Sequence, residues 1–162
     1  MRSTSGKVIL LLLAGLIAAC TMLCVQIQNF TETVYAKSQS EKELEAELYC
    51  DSLELLAICV QAEAGNQSLT GRRMVADVIL NRVDDPDFPD TIEGVITQRY
   101  QFSSYWDGGM ERNCVPDETT IKAVQLELKQ RSYPGLLYFR TGRYSDYGTP
   151  WKKVGAHYFS TK

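Results

Sequence analysis

Glu63 is the side chain in this sequence best placed to move a proton. It follows Val60 by three residues and Cys59 by four, so a helix through Leu55, Leu56, Cys59 and Val60 carries it on the same apolar stripe. A carboxylate there, one turn before the Gly65-Asn66-Gln67 break, admits two readings. It tilts into solvent or meets an arginine such as Arg72 or Arg73. Alternatively it stays half-buried, where lost hydration favours the neutral acid and equips it to donate a proton near neutrality. Residues 100–109 are the next richest stretch, gathering the amide, hydroxyl and ring groups of Gln101, Ser103, Tyr105 and Trp106 beside two glycines. Such groups hydrogen-bond sugar hydroxyls and acetamides, and flat rings stack on apolar sugar faces. Phe102 in the same stretch reads as core. Tyr144, Tyr147 and Trp151 offer further rings in a later loop, for stacking or for loop packing. His157, the single histidine, reads either as a core residue or as a group that orients the acid.

The elements that must hold these groups follow from local signals. Asp51 with Glu54 suggests the N-terminus of the Glu63 helix. Ser68 caps a second helix to about Arg82, with Val75, Val78, Ile79 and Val83 as its buried stripe. Asp77 lies off that stripe and reads as a surface charge, and Arg82 as a helix-end charge. Residues 84–90 form a loop plugged by Phe88, and Thr91 caps a short helix to about Gln98. Pro116-Asp117-Glu118 starts a helix to about Arg131 with Ile121, Val124 and Leu128 inward. Two strand-like runs, residues 136–139 and 154–159, are expected to pair as an antiparallel ribbon across the 142–150 loop.

The chain has 162 residues and a net charge of −3. Arg2 and Lys7 precede an apolar run at residues 8–27, long enough to span a bilayer. It is read as a cleaved signal ending at Val34-Tyr35-Ala36, as a retained anchor, or as a lipoprotein signal at Ile17-Ala18-Ala19-Cys20. Each reading puts the remainder outside the cytoplasmic membrane and has the N-terminal segment engage the membrane or the secretion machinery. The expected organisation is residues 1–36 as signal or anchor, 37–49 as a charged spacer, and 50–162 as one domain. Without residues 1–36 the chain is more acidic still, with 15 basic and 19 acidic residues and a net charge of −4, which argues against nucleic acid as a partner and against holding an anionic polymer by bulk charge. Five cysteines include Cys20 and Cys24 in the apolar run and Cys59 on a core-facing stripe; a Cys50–Cys114 disulfide is possible.

Ala62-Glu63-Ala64-Gly65, Gly71, and the run from Val75 to Val83 resemble the SleB-type cell wall hydrolases, the spore-cortex-lytic family. The resemblance continues through Phe88-Pro89, Thr91-Ile92, Val95-Ile96, Gln101-Phe102-Ser103 and Gly155-Ala156-His157-Tyr158-Phe159, covering roughly residues 53–160. It implies an α+β, mainly α fold: a lysozyme- or lytic-transglycosylase-like helical core with a small antiparallel β ribbon near the C-terminus. It also implies cleavage of peptidoglycan glycan strands, with Glu63 at the family's catalytic acid. Gln101 and His157 are raised as site residues by the same motifs. Many members carry a second Glu where this chain has Asn66.

Most glycosidases need two carboxylates, whereas a lytic transglycosylase can manage with one, because the muramic acid C6 hydroxyl is the nucleophile. The resemblance implies that second route; Asp77, Asp107 and Glu111 are the carboxylates a hydrolytic route would draw on. Two other readings stand beside it. One is a papain-like wall peptidase using Cys59 or Cys114 with His157, weakened because Cys59 sits mid-helix instead of at a helix N-terminus. The other is a non-catalytic peptidoglycan-binding domain. Neither His-Glu-x-x-His nor a paired-cysteine motif occurs, so chemistry without metal or cofactor is expected, and a monomer.

Overall fold

Nothing between Gly15 and Gly65 breaks a helix, since the stretch has neither glycine nor proline, and residues 41–47 are strong helix formers. In the computed structural model, which describes residues 4–113 and 115–162, helix α1 accordingly runs over Thr4–Ala64. Lys37 and Glu41 pair along it at 3.8 Å. This corrects the expected start at Asp51: a capping residue cannot end a helix that its flanks continue. The 37–49 spacer is helical as well. Cys114, and with it the Cys50–Cys114 disulfide, lies outside the described residues.

The chain divides into two units, Met1–Leu48 and Tyr49–Lys162. In the first, α1 carries an apolar, unburied stretch long enough to cross a membrane. In the second, Leu56, Cys59, Val60 and Ala64 of α1 join one core with α2 (Leu69–Asp84). Ser68 caps α2 by accepting from the Gly71 N–H at 3.3 Å. Buried on most sides, α2 uses its polar side chains to catch the neighbouring chain. Asn81 Nδ2 donates to the Tyr133 and Leu136 carbonyls, and Arg82 Nε to the Leu137 carbonyl at 2.7 Å. Arg72 donates to the Gly65 and Gln67 carbonyls and pairs with Asp117, fixing the turn that follows Glu63.

Three short helices follow: α3 (Ile92–Thr97), capped by Thr91, then α4 (Ser103–Trp106) and α5 (Gly109–Arg112). Helix α6 (Glu118–Lys129) begins at its Asp117 cap. Ala123, Val124 and Glu127 face inward, whereas Ile121 is exposed, so the expected stripe is rotated by part of a turn.

The chain ends in three antiparallel strands, β1 (Leu136–Thr141), β2 (Thr149–Val154) and β3 (His157–Thr161), with β3 in the centre. The expected ribbon missed β2 and took the Gly155-Ala156 turn as strand. Residues 149–153 are exposed throughout, so they show no alternation to read. Gly155 has φ +57°, and a Cβ there would collide with the Gln67 side chain. Gln67 Oε1 in turn accepts from the Ala156 N–H at 3.0 Å, tying the β2–β3 turn to the turn after Glu63.

Candidate functional site

Glu63 sits in the last turn of α1, half-buried, and its Oε1 accepts from the Ser104 hydroxyl at 2.5 Å. Ser104 is buried on α4. Neither Arg72 nor Arg73 reaches Glu63: Arg72 is engaged by Asp117, Thr120 and two backbone carbonyls, and Arg73 by Glu127 and Ser132. The hollow around Glu63 measures about 330 Å³ and is lined by Gln61, Ala62, Gly65, Asn66 and Asn113. Its walls are mostly amides, and Glu63 is the one acidic side chain among these lining residues. Asn66 is one of those amides.

Two further hollows lie along the segment that delivers Ser104. One, about 710 Å³, is lined by Arg99, Tyr100, Ser103, Trp106 and Asp107. Trp106 is 59% exposed and is braced edge-on by Tyr105 at 5.1 Å. The other, about 400 Å³, shares Tyr100 and adds Gln101, Phe88, Tyr138, Tyr147 and Arg82 among others. Tyr100 is 82% exposed and holds φ +67°, the one non-glycine residue at positive φ among those described. A side chain held in that sparsely populated region marks a constrained surface.

Of the residues singled out from sequence, Glu63, Ser103, Trp106, Gln101 and Tyr147 thus line hollows, with Tyr105 behind Trp106. Tyr144 packs against Tyr158 at 5.1 Å instead. His157 is buried between Phe139 and Phe159, lines none of the three hollows, and is held below the usual histidine range by burial. The Cys59 thiol is pushed well above its usual range by burial and then by nearby Glu63, against an opposing effect of Arg82. Asp107 is exposed, with Oδ1 accepting from the Gly109 N–H and lying near Arg112.

Asp77 overturns its reading as a surface charge. It is fully buried, and its Oδ2 accepts from the Ser132 and Tyr133 N–H groups at 3.1 and 2.6 Å. The reason is that α2 is covered on its outer side too, by α6 and the loop after it.

A family profile described as Cell Wall Hydrolase matches residues 66–160. The chain belongs to the cell wall hydrolase family. The resemblance read from its motifs is borne out, and Gln101 and His157 fall inside the matched span, with Glu63 three residues ahead of it. Among curated proteins, the spore cortex-lytic enzyme of Halalkalibacterium halodurans is 35% identical over 118 residues, 68% of this chain and 35% of that protein. That of Bacillus subtilis is 31% identical, covering 67% and 37%. The chain thus spans about a third of the length of these relatives. The crystal structure of the catalytic domain of the Bacillus cereus SleB protein is similar with a TM-score of 0.59 and 30% identity, over 68% of this chain and 89% of that one. A second, the catalytic domain of the germination-specific lytic transglycosylase SleB from Bacillus anthracis, gives 0.58 and 29%, over 68% and 93%. The α+β fold, a helical core with a small C-terminal antiparallel sheet, is the one this family shares.

Several site residues escape a sequence reading. Ser104 and Asn113 reach Glu63's surroundings only through tertiary placement, and the helix-end reading of Arg82 missed its burial. The one usable signal was the Gln-Phe-Ser motif beside Ser104.

Proposed function

We propose that this cell wall hydrolase cuts peptidoglycan glycan strands between N-acetylmuramic acid and N-acetylglucosamine as a lytic transglycosylase, with Glu63 as its single general acid and base. Glu63 gives its proton to the glycosidic oxygen as the bond to the muramic C1 breaks. The resulting carboxylate then takes the proton of the muramic C6 hydroxyl, whose oxygen bonds to C1, giving a 1,6-anhydro end and restoring the acid. The observation that carries this reading is a lone acid in an amide-lined hollow, held by the Ser104 hydroxyl and free of any arginine. With one carboxylate in the wall, a route needing one carboxylate is favoured. The name of the similar Bacillus anthracis domain supports the same route.

The role of residues 50–162 is the catalytic domain. Trp106, braced by Tyr105, stacks on a sugar ring, and Ser103, Gln101 and Tyr147 donate to hydroxyls or acetamides along the neighbouring hollows. His157 and Tyr144 support these walls from behind. The apolar part of α1 serves as signal or anchor, so the domain acts outside the cytoplasmic membrane; we take it to act as a monomer. A papain-like route is disfavoured because a thiol held protonated at Cys59 is a poor nucleophile.

Mass spectrometry of products from purified strands decides the chemistry. Anhydro ends made by the full chain and absent with Glu63→Gln support the proposal. Reducing ends, one water heavier, would convert it to hydrolysis, for which Asp107 in the adjoining hollow is the candidate second carboxylate. Cleavage that survives in Glu63→Gln would end it.

A further inference from the structure

Arg82 is 4% exposed, yet among the described residues no carboxylate pairs with it. Its Nε is spent on the Leu137 carbonyl, and its Nη1 is buried with no hydrogen-bond partner. The rings of Phe88, Phe102 and Tyr138 stand 5.0, 5.5 and 5.7 Å from the guanidinium carbon. Rings soften the burial of a cation but do not satisfy its N–H groups. Buried charges are ordinarily paired, so an orphan guanidinium in a cavity wall asks for an anion. That wall belongs to the 400 Å³ hollow, whose other cation, Arg140, already has Asp146. Burial also lowers Arg82 to about 10, the expected direction for a cation without a counter-charge.

We infer that the hollow lined by Arg82, Gln101, Tyr100, Tyr138 and Tyr147 is a carboxylate-binding subsite, which takes an anionic group carried by the muramic acid side of the substrate. The inference rests on the proposed function for the identity of that substrate. Tyr100 belongs both to this hollow and to the one walled by Trp106, so a strand lying against Trp106 would bring its lactyl or stem-peptide branch here. A planar guanidinium edge suits a carboxylate, and the tyrosine rings suit the short aliphatic groups beside it. Both sources, the free lactyl carboxylate and a stem-peptide carboxylate, offer the same chemistry.

The test is binding to the full chain in detergent, carrying Glu63→Gln so that nothing is turned over. The probes are N-acetylmuramic acid and its methyl ester, and N-acetylmuramyl-L-alanyl-D-isoglutamine and its methyl ester. Calorimetry or tyrosine and tryptophan fluorescence reads the affinities. A charge-assisted contact predicts that the acid binds roughly tenfold or more tighter than its ester. A preference with the simple sugar assigns the lactyl source, and one confined to the peptide assigns the stem. Arg82→Gln should bring the ratio to about one, and Arg82→Lys should keep part of it. Because Arg82 also holds Leu137, those variants risk misfolding. The acid-to-ester ratio without them already decides, and Tyr147→Ala on the exposed wall should weaken all probes alike. Equal binding of acid and ester, or no binding of any probe, overturns the inference. Neither outcome touches the cleavage chemistry, which the product masses judge separately.

Discussion

Two carboxylate sites in this protein make opposite use of the same functional group. Among the described residues, Glu63 is half-buried at the edge of a hollow, restrained by one hydroxyl, with no cation paired to it. Asp77 and Glu127 are fully buried between α2 and α6. Their oxygens accept from the Ser132 and Tyr133 N–H groups, Glu127 is gripped by Arg73, and Arg131 stands 3.9 Å from Asp77. A buried group clamped by several donors holds the chain together but is closed to a substrate. A group with one light restraint at the edge of a hollow stays open to one. On the proposed function, the difference separates an acid that works on a ligand from acids that work on the fold, although all three come from core helices.

Glu63→Gln puts the largest strain on this division. Turnover of glycan strands should fall about a thousandfold, since both proton transfers are lost, while the melting temperature stays close to that of the parent. A large stability loss in this variant would show Glu63 to be a second structural acid. Asp77→Ala should do the reverse. It orphans the Tyr133 N–H, leaves Ser132 to Glu127 alone and removes one partner of Arg131, for a loss of about 3 kcal/mol by denaturant titration, with little change in activity per folded molecule.

Smaller effects sharpen the comparison. Ser104→Ala removes the one restraint on Glu63 and should lower kcat about tenfold, with KM and stability nearly unchanged. On the structural side, burial and the adjacent Glu127 carboxylate raise Asp77 from 3.8 to about 7. The folded chain therefore holds a proton there that the unfolded chain has lost. Its contribution to stability is complete below about pH 4 and disappears as the pH climbs to about 7. His157, lowered by burial, acts in the opposite sense within part of that window, its contribution fading as the pH falls through its range. The comparison of the parent with Asp77→Asn isolates the carboxyl: the parent's advantage should shrink as the pH rises from about 4 to 7. A constant difference across that range would mean that Asp77 is already charged in the folded state.

What the sequence disclosed, and what it hid, divides along similar lines. Ser68 and Thr91 were readable as helix caps, and Pro116-Asp117-Glu118 as a helix start, because such signals depend on a few neighbouring residues. Asp51 had the same local chemistry, yet α1 runs through it, because the residues before it form helix as willingly as those after. Asp77 was misread because a single apolar stripe describes a helix with one wet face, and α2 has hardly any. Strand β2 was invisible for the opposite reason, since exposed residues on both faces leave no alternation. At the site, helical spacing was enough to mark Glu63. Its partner Ser104 stands 41 residues away, and Arg82's isolation is a matter of what surrounds it in three dimensions.

The weakest effect concerns the wall, not the acid. Trp106 is exposed, braced by Tyr105 and lines the hollow next to Ser103, so its ring is already positioned before any sugar arrives. An interaction that binds substrate and transition state alike raises affinity without raising the rate of the chemical step. Trp106→Ala should therefore increase KM for glycan strands a few-fold, roughly the worth of one ring contact, and leave kcat unchanged. A fall in kcat instead would place the tryptophan against the sugar that distorts during cleavage. It would then belong with Glu63 on the chemical side of the comparison, not with the passive wall.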